Sequence, residues 1–204
     1  MNIELLAEHV GLRVARHGLV IPESALLACA TYLSELSRWN QRINLTALPL
    51  GFPIPDLTID KLIVEPLTAT TLLPSASRVW VDVGSGGGSP AVPLRTVWRN
   101  GSLTMVESRE RKCAFLREVV RRVGLSSTQV LTGRVEALHR DGLVELVTIR
   151  AVKVDDQVAQ LLRGLVAPGG FLLAFGSRLN DDAFTLESQA LLPDGSNVTL
   201  FRRL

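Results

Sequence analysis

The run Val79-Trp80-Val81-Asp82-Val83-Gly84-Ser85-Gly86-Gly87-Gly88-Ser89-Pro90-Ala91-Val92-Pro93 constrains the fold more than any other stretch of this chain. Val79, Trp80, Val81 and Val83 suit a buried parallel strand, and the strand closes on an acid, Asp82. Gly84, Gly86, Gly87 and Gly88 follow, where the chain can turn sharply and a ligand can approach the backbone without meeting a Cβ. Pro90 and Pro93 suit the first turn of a helix, whose N–H groups have no intrahelical partner. Strand, glycine turn and helix start together read as a nucleotide-type cradle rather than a glycine-rich surface turn.

The 204 residues are enough for one good core or for one domain with a small extension. With 47% hydrophobic and 21% charged residues the chain reads as globular, not disordered. A formal net charge of +2 does not by itself argue for nucleic acid, although all but three of the 22 basic residues are arginine, the cation suited to phosphate and base edges. Two distant cysteines, Cys29 and Cys113, read as free thiols of a reducing compartment. Glu4 and Glu8 interrupt any apolar leader, and no stretch approaches the roughly 18 apolar residues of a membrane span. A cytoplasmic, monomeric protein with no membrane contact, no metal and no dedicated protein partner is expected.

Helical spacing covers residues 2–17, with Ile3, Leu6, Val10 and Val14, and then 22–40, opened by Pro22 and carrying Leu26, Leu33, Leu36 and Trp39 on one face. A third helix is expected from Asp56 or Thr58 to about residue 73, kinked at Pro66. Residues 1–74 therefore read as a helical extension packed as one unit with a core over 75–204. From 79 onward strands (103–106, 128–131, 146–149, 171–175) alternate with helices (109–123, 154–165), the mark of a doubly wound parallel sheet. An antiparallel pair over 184–192 and 198–201 is expected at the end, around Pro193-Asp194-Gly195-Ser196.

Two cofactors fit the loop. Gly86-x-Gly88-x-x-Ala91 matches a dinucleotide pattern with alanine in third place. Asp82-x-Gly84-x-Gly86-x-Gly88 matches the loop of class I methyltransferases that bind S-adenosylmethionine. Glu107 serves either reading, since it ends the second strand about 20 residues on, where a carboxylate meets ribose hydroxyls. The acid inside the strand end separates them. A dinucleotide loop needs room and N–H donors for a pyrophosphate, whereas adenosylmethionine has no phosphate and carries an ammonium, which Asp82 can attract. Methyl transfer is therefore favoured over hydride transfer.

The chain also resembles a specific family, the glucose-inhibited division protein B methyltransferases (RsmG/GidB), which methylate N7 of a guanine in small-subunit 16S ribosomal RNA. The resemblance runs from Tyr32 through Trp39-Asn40 and Asn44-Leu45-Thr46, the glycine loop with Pro90 and Pro93-Leu94, Val106-Glu107-Ser108, Lys112, Phe115 and Leu116. It continues with Gly133-Arg134-Val135-Glu136, Arg150-Ala151 and Pro168-Gly169-Gly170. It implies a class I, Rossmann-like α/β fold with a seven-stranded, mostly parallel sheet and an N-terminal helical extension. It implies an S-adenosylmethionine site at Asp82, Gly84, Ser85, Gly86, Gly88, Glu107 and Ser108, with Glu107 on the ribose. Arg134, Val135 and Glu136 are then expected beside the adenine, and Arg150 at the reaction site, in contact with the cofactor and positioning the guanine.

The chain departs from the family pattern where Arg-His-x-x-Asp-Ser gives way to Lys61-Leu62-Ile63-Val64-Glu65-Pro66. It departs again at Ser89-Pro90-Ala91 in the loop, at Phe175 before Gly176 in place of lysine, and at Ser196-Asn197 in place of Arg-His. Those departures leave two alternatives: a methyltransferase acting on a small molecule or another RNA, or a non-enzymatic RNA-binding or assembly protein.

Guanine N7 has a lone pair and no proton, so direct attack on a sulfonium methyl group calls for positioning more than for a base. His9, His17 and His139 accordingly read as non-catalytic, and Cys113 as a core residue beside Phe115. For Arg150, positioning of the guanine and a plain salt bridge compete. The cations of the 109–122 segment read as a solvated helix face before they read as an RNA-docking one. Trp39 reads as core before it reads as a base-stacking platform.

Overall fold

Residues 2–74, 79–137, 144–152, 154–177 and 179–204 are described by a computed structural model. Asn2 starts helix α1 (Ile3–Arg16) by accepting from the N–H groups of Glu4 and Leu5 at 2.9 and 3.3 Å, which satisfies two of the donors a helix start leaves open. Helix α2 (Glu23–Asn40) follows after Pro22. Leu6, Val10 and Val14 of α1 and Cys29, Leu33 and Leu36 of α2 enter one apolar cluster, as their spacing predicts.

The third helical segment is not one kinked helix. It changes register three times: α3 (Asp56–Ile59), a π-helical turn (Asp60–Val64), α4 (Glu65–Thr68) and a 3-10 turn (Ala69–Leu72). Pro66 has no N–H for the carbonyl of Leu62, so an α-helical ladder cannot pass through it unbroken. Arg13 ties this segment to α1 through Asp60, at 3.0 and 2.6 Å, and Asp56, at 2.8 Å.

Seven strands form one sheet in the order β3-β2-β1-β4-β5-β7-β6. These are β1 (Val79–Val83), β2 (Ser102–Glu107), β3 (Thr128–Thr132), β4 (Val144–Arg150), β5 (Val166–Phe175), β6 (Phe184–Leu191) and β7 (Asn197–Arg203). The first five are parallel, and β7 runs antiparallel to both β5 and β6. Helices α5 (Ala91–Val97), α6 (Glu110–Val123) and α7 (Asp156–Leu165) connect them, and α6 stops at Gly124, whose φ of +71° suits glycine. Strand alternation divides the core. Trp80, Leu103, Met105, Leu146 and Leu173 join the helical extension on one face, while Val81, Val106, Val147 and Leu172 meet Leu162 and Leu165 of α7 on the other.

This is the doubly wound architecture expected, and the terminal hairpin lies where the alternation and turn residues put it. Two local features differ. The chain forms an extra 3-10 turn at Val135–Ala137. Strand β5 begins at Val166, five residues early, because Pro168-Gly169-Gly170 forms a bulge inside it rather than ending the preceding helix. Among the described residues no helix is long and apolar enough to cross a membrane.

Candidate functional site

The order of strands reverses between β1 and β4, and in such sheets ligands sit beyond the carboxyl ends of the strands at that point. The candidate residues gather there: Asp82 in β1, the glycine loop after it, Glu107 closing β2, the turn after β3, and Arg150 closing β4. Parallel register does the gathering, since Asp82 stands opposite Met105 on one side and Thr148 on the other.

Asp82 is 1% exposed. Its Oδ1 accepts from Thr148 Oγ1 at 2.5 Å, and Thr148 Oγ1 accepts from Trp80 Nε1 at 3.0 Å, so the indole, hydroxyl and carboxylate form one chain across the β1–β4 pair. Oδ2 is buried with no hydrogen-bond partner among the described residues. Burial pushes the Asp82 pKa up to about 6, against the opposing influence of the nearby Ser85 hydroxyl, which donates to the Asp82 backbone carbonyl at 3.2 Å, and of the Thr148 hydrogen bond. A buried carboxylate oxygen without a donor is costly, and a cationic ligand group relieves that cost.

The loop is held from β2. Gly84 and Ser85 donate their N–H groups to the carbonyl of Val106 at 2.9 and 3.0 Å, and Gly86 donates to Glu107 Oε2 at 3.0 Å. Glu107 Oε1 accepts from the N–H of Arg109 at 2.8 Å, with Ser108 Oγ at 3.4 Å. Glu107 thus clasps the loop to the start of α6, a role its position alone did not suggest, and its oxygens keep lone pairs for further donors. The glycines divide into two sets. A Cβ on Gly84 meets nothing within 4 Å, and one on Gly86 meets only the carbonyl of Gly84, so these two line open space. Gly88, at φ +92°, has Val92 Cγ2 3.0 Å and Tyr32 Cε2 3.3 Å from its Cβ position; it faces the protein's own core.

The W-N-x-x-x-N-L-T string is the support behind this loop. Asn40 Oδ1 accepts from the N–H groups of Leu45 and Thr46 at 2.8 and 3.0 Å, and its Nδ2 donates to the carbonyl of Thr46 at 3.1 Å. The turn so fixed brings the Leu45 carbonyl within 3.1 Å of where a Gly87 Cβ would stand. Tyr32, fully buried, donates its hydroxyl to the Gly87 carbonyl at 2.7 Å. Trp39 packs edge-on to Phe115, 6.0 Å between centroids, and is half-buried; its remaining face lies in a surface groove between Arg38 and Arg42.

Past β3, Gly133 donates its N–H to the Glu107 carbonyl at 2.9 Å, which sets the following turn beside Glu107. Arg134 and Glu136 are exposed there, while Val135 joins Val83 at the margin of the second apolar cluster. Residues 138–143, and with them His139, lie outside the described residues.

Arg150 stands on the other side of the loop. Its Nη2 pairs with Glu65 and its Nη1 donates to Ser89 Oγ at 3.1 Å, while the guanidinium lies 5.5 Å from the centre of the Phe175 ring. Ser89 Oγ in turn donates to the carbonyl of Leu62 at 3.1 Å, the group that Pro66 deprives of an α-helical donor. Lys61 joins Glu65, 3.0 Å away, to Asp194, which also accepts from Ser196. Lys61 and hydrogen bonds from Ser196 hold the Asp194 carboxyl well below the usual carboxylate range. Of the departures from the family pattern, Phe175 meets Arg150 directly, the Leu62 carbonyl is joined to it through Ser89, and Ser196 is joined to it only through Asp194, Lys61 and Glu65. A cavity of about 280 Å³ opens here, lined by Leu36, Leu45, Leu62, Gly84, Ser89 and Arg150.

Other expected features fall elsewhere. His9 and His17 lie 2.8 and 3.5 Å from Asp56 and Asp60 at the junction of α1 and α3. Cys113 is buried and donates to the Glu107 carbonyl at 3.1 Å. On α6, Arg121 and Arg122 are engaged with Glu118, while Arg111 and Lys112 have no ion-pair partner among the described residues. No group of three or more His, Cys, Asp or Glu among the described residues could hold a metal.

Comparison with known proteins covers the part of the chain that holds these residues. The family described as GidB, rRNA small subunit methyltransferase G, matches residues 26–200. A protein of Nitratidesulfovibrio vulgaris named ribosomal RNA small subunit methyltransferase G is 37% identical over 147 residues, 71% of this chain and 67% of that one. Its namesake from Chromobacterium violaceum is 31% identical over 186 residues, 91% of this chain and 84% of the other. Among solved structures, a SAM-dependent methyltransferase from Aquifex aeolicus superposes with a TM-score of 0.57 at 13% identity, over 71% of this chain and 92% of that chain, a likeness of fold alone.

Proposed function

Because this chain belongs to the GidB family of rRNA small subunit methyltransferase G, we propose that it transfers a methyl group from S-adenosylmethionine to N7 of a guanine in small-subunit ribosomal RNA. The observation that carries the reading is the buried, unpartnered Oδ2 of Asp82 beside the open faces of Gly84 and Gly86. A phosphate would be repelled there; an ammonium is attracted. When bound, adenosylmethionine supplies the electrophilic sulfonium methyl group.

In this account Asp82 takes the ammonium, and Gly84, Ser85, Gly86 and Gly88 shape the turn around the methionine end. Glu107, with Ser108 beside it, offers its remaining lone pairs to the ribose hydroxyls while clasping the loop. Arg134, Val135 and Glu136 border the adenine. Arg150 holds the guanine through O6 or a phosphate, as a guanidinium fork suits. No general base is assigned, since N7 carries a free lone pair and the chain's task is alignment and exclusion of water. The helical extension over 1–74 acts with the core over 75–204 as one unit, which the shared apolar cluster supports. A monomer working in the cytoplasm completes the reading.

A second reading keeps the donor and changes the acceptor. It is favoured by the departures from the family pattern that surround Arg150: Phe175 against its guanidinium, and Leu62 and Ser196 joined to it through Ser89 and through Asp194, Lys61 and Glu65. The two are separated by incubating purified small ribosomal subunits from a strain lacking the gene with the protein and labelled adenosylmethionine. Label in ribosomal RNA supports the first; stabilisation by adenosylhomocysteine without such label supports the second.

A further inference from the structure

Arg150 is more constrained than a strand-end arginine needs to be. Three separate elements meet its guanidinium: Glu65 from α4 at Nη2, Ser89 from the glycine loop at Nη1, and the Phe175 ring from β5 against its face. Glu65 is 2% exposed, so the pair is largely withdrawn from water, where such contacts are strong and fix geometry. The polar chain does not stop at Arg150. Ser89 Oγ spends its one proton on the Leu62 carbonyl, so the lone pair it offers Arg150 has a defined direction. Because residue 66 is proline, that carbonyl has no α-helical donor four residues on. Ser89 thus joins the ligand-facing loop to the helical extension and to Arg150 at once.

We propose that Ser89 and Glu65 are positioning residues for the methyl-transfer step: they hold the Arg150 guanidinium in one orientation at the wall of the 280 Å³ cavity, where it orders the acceptor. The proposal rests on the reading of the chain as a methyltransferase, and it deepens that reading on the acceptor side. Ser89 shares the cavity wall with Gly84, yet both residues act here through Arg150, so loss of either should lower the rate of transfer far more than the affinity for the donor, since small misplacements of a positioning group cost up to about 100-fold.

The test uses the full-length protein loaded with adenosylhomocysteine, as wild type, Ser89→Ala, Ser89→Thr and Glu65→Gln. Nitrogen-15 spectra of the Arg150 guanidinium, assigned by its disappearance in Arg150→Lys, report whether its Nη groups rotate slowly or average. In parallel, single-turnover transfer to small ribosomal subunits is measured with calorimetric affinity for adenosylhomocysteine. The expected result is resolved, slowly exchanging Nη signals in wild type and Ser89→Thr, and averaged signals in Ser89→Ala and Glu65→Gln. Transfer should be about 10- to 100-fold slower in the latter two, with a much smaller change in affinity for adenosylhomocysteine. Ser89→Ala keeps the test alive if Glu65→Gln fails to fold. Wild-type rotation in Ser89→Ala overturns the proposal, and so does wild-type transfer. A wild-type protein that transfers nothing to ribosomal RNA sinks the functional reading instead, and the spectra still decide the positioning claim.

Discussion

Thr148 and Asp82 face each other across neighbouring parallel strands, and the hydroxyl of the first occupies only one oxygen of the second. The other oxygen is left buried and free of partners among the described residues. Asp82→Asn keeps the shape and removes the charge, so it should weaken adenosylhomocysteine binding by the value of one charged hydrogen bond, about 1.5–3 kcal/mol. Calorimetric titration at pH 7.5 reads this directly. A ligand lacking the amino group should bind both forms alike.

The same carboxylate makes binding and stability depend on pH. Burial raises its folded-state pKa to about 6, above its value in the unfolded chain. Between about pH 4 and 6 the folded protein therefore keeps a proton that the unfolded chain has released, and ligand-free stability falls as pH rises through that window. The full effect is about 3 kcal/mol, present above pH 6 and absent below pH 4. Affinity for adenosylhomocysteine runs the other way, strengthening as pH rises through 6 and Asp82 ionises. Denaturant melts and titrations between pH 4.5 and 7.5 should show both slopes, and Asp82→Asn should flatten both.

Gly84 and Gly88 should respond differently to alanine, although they share one loop. At Gly88 an added Cβ meets Val92 at 3.0 Å in a left-handed backbone conformation, so Gly88→Ala should cost about 2–4 kcal/mol of stability. At Gly84 there is room, and the cost is backbone strain of about 1–2 kcal/mol. Gly84→Ala should therefore harm ligand affinity more than it harms the melting temperature, and Gly88→Ala the reverse.

Asn40 satisfies two N–H groups and one carbonyl of the turn that backs Gly87. Asn40→Ala leaves them exposed to loss of about 1–3 kcal/mol of stability. Because that turn supports the loop, weaker adenosylhomocysteine binding should accompany the lower melting temperature, whereas Asn44→Ala, at an exposed position, should change neither.

The cations of α6 should not act alike toward RNA. Arg121 and Arg122 are neutralised by Glu118, whereas Arg111 and Lys112 have no ion-pair partner among the described residues. Replacing Arg111 or Lys112 by Gln should weaken binding of ribosomal RNA and lower the salt slope by about one each, while Arg121→Gln should leave the slope in place. Filter binding at several salt concentrations reads this.

Asp82, Gly84, Gly86 and Glu107 were legible because their chemistry is local: an acid at a strand end, glycines at fixed spacing, a second acid one unit later. Alternation and turn residues likewise sufficed for the parallel strands and the terminal hairpin. What escaped was set by register and long-range contact. Thr148 meets Asp82 across 66 residues, and Glu65 meets Arg150 across 85. Neither pairing leaves a mark in local spacing. Pro66 announced a break in its helix but not the π-helical turn before it, nor that its consequence, a freed carbonyl, would be met by Ser89. The Trp39-to-Thr46 string was visible as a pattern, yet its use as a brace behind Gly87 appears only once Asn40 is seen holding Leu45 and Thr46.

Delivery of a methyl group from this cradle to small-subunit ribosomal RNA leaves a direct chemical trace. A map of N7-methylguanine in that RNA tests it most directly, taken from a strain lacking the gene and from the same strain carrying wild type or Asp82→Asn. One guanine should lose its methyl group in the deletion, regain it with wild type and fail to regain it with Asp82→Asn. An unchanged map in the deletion strain would contradict that delivery.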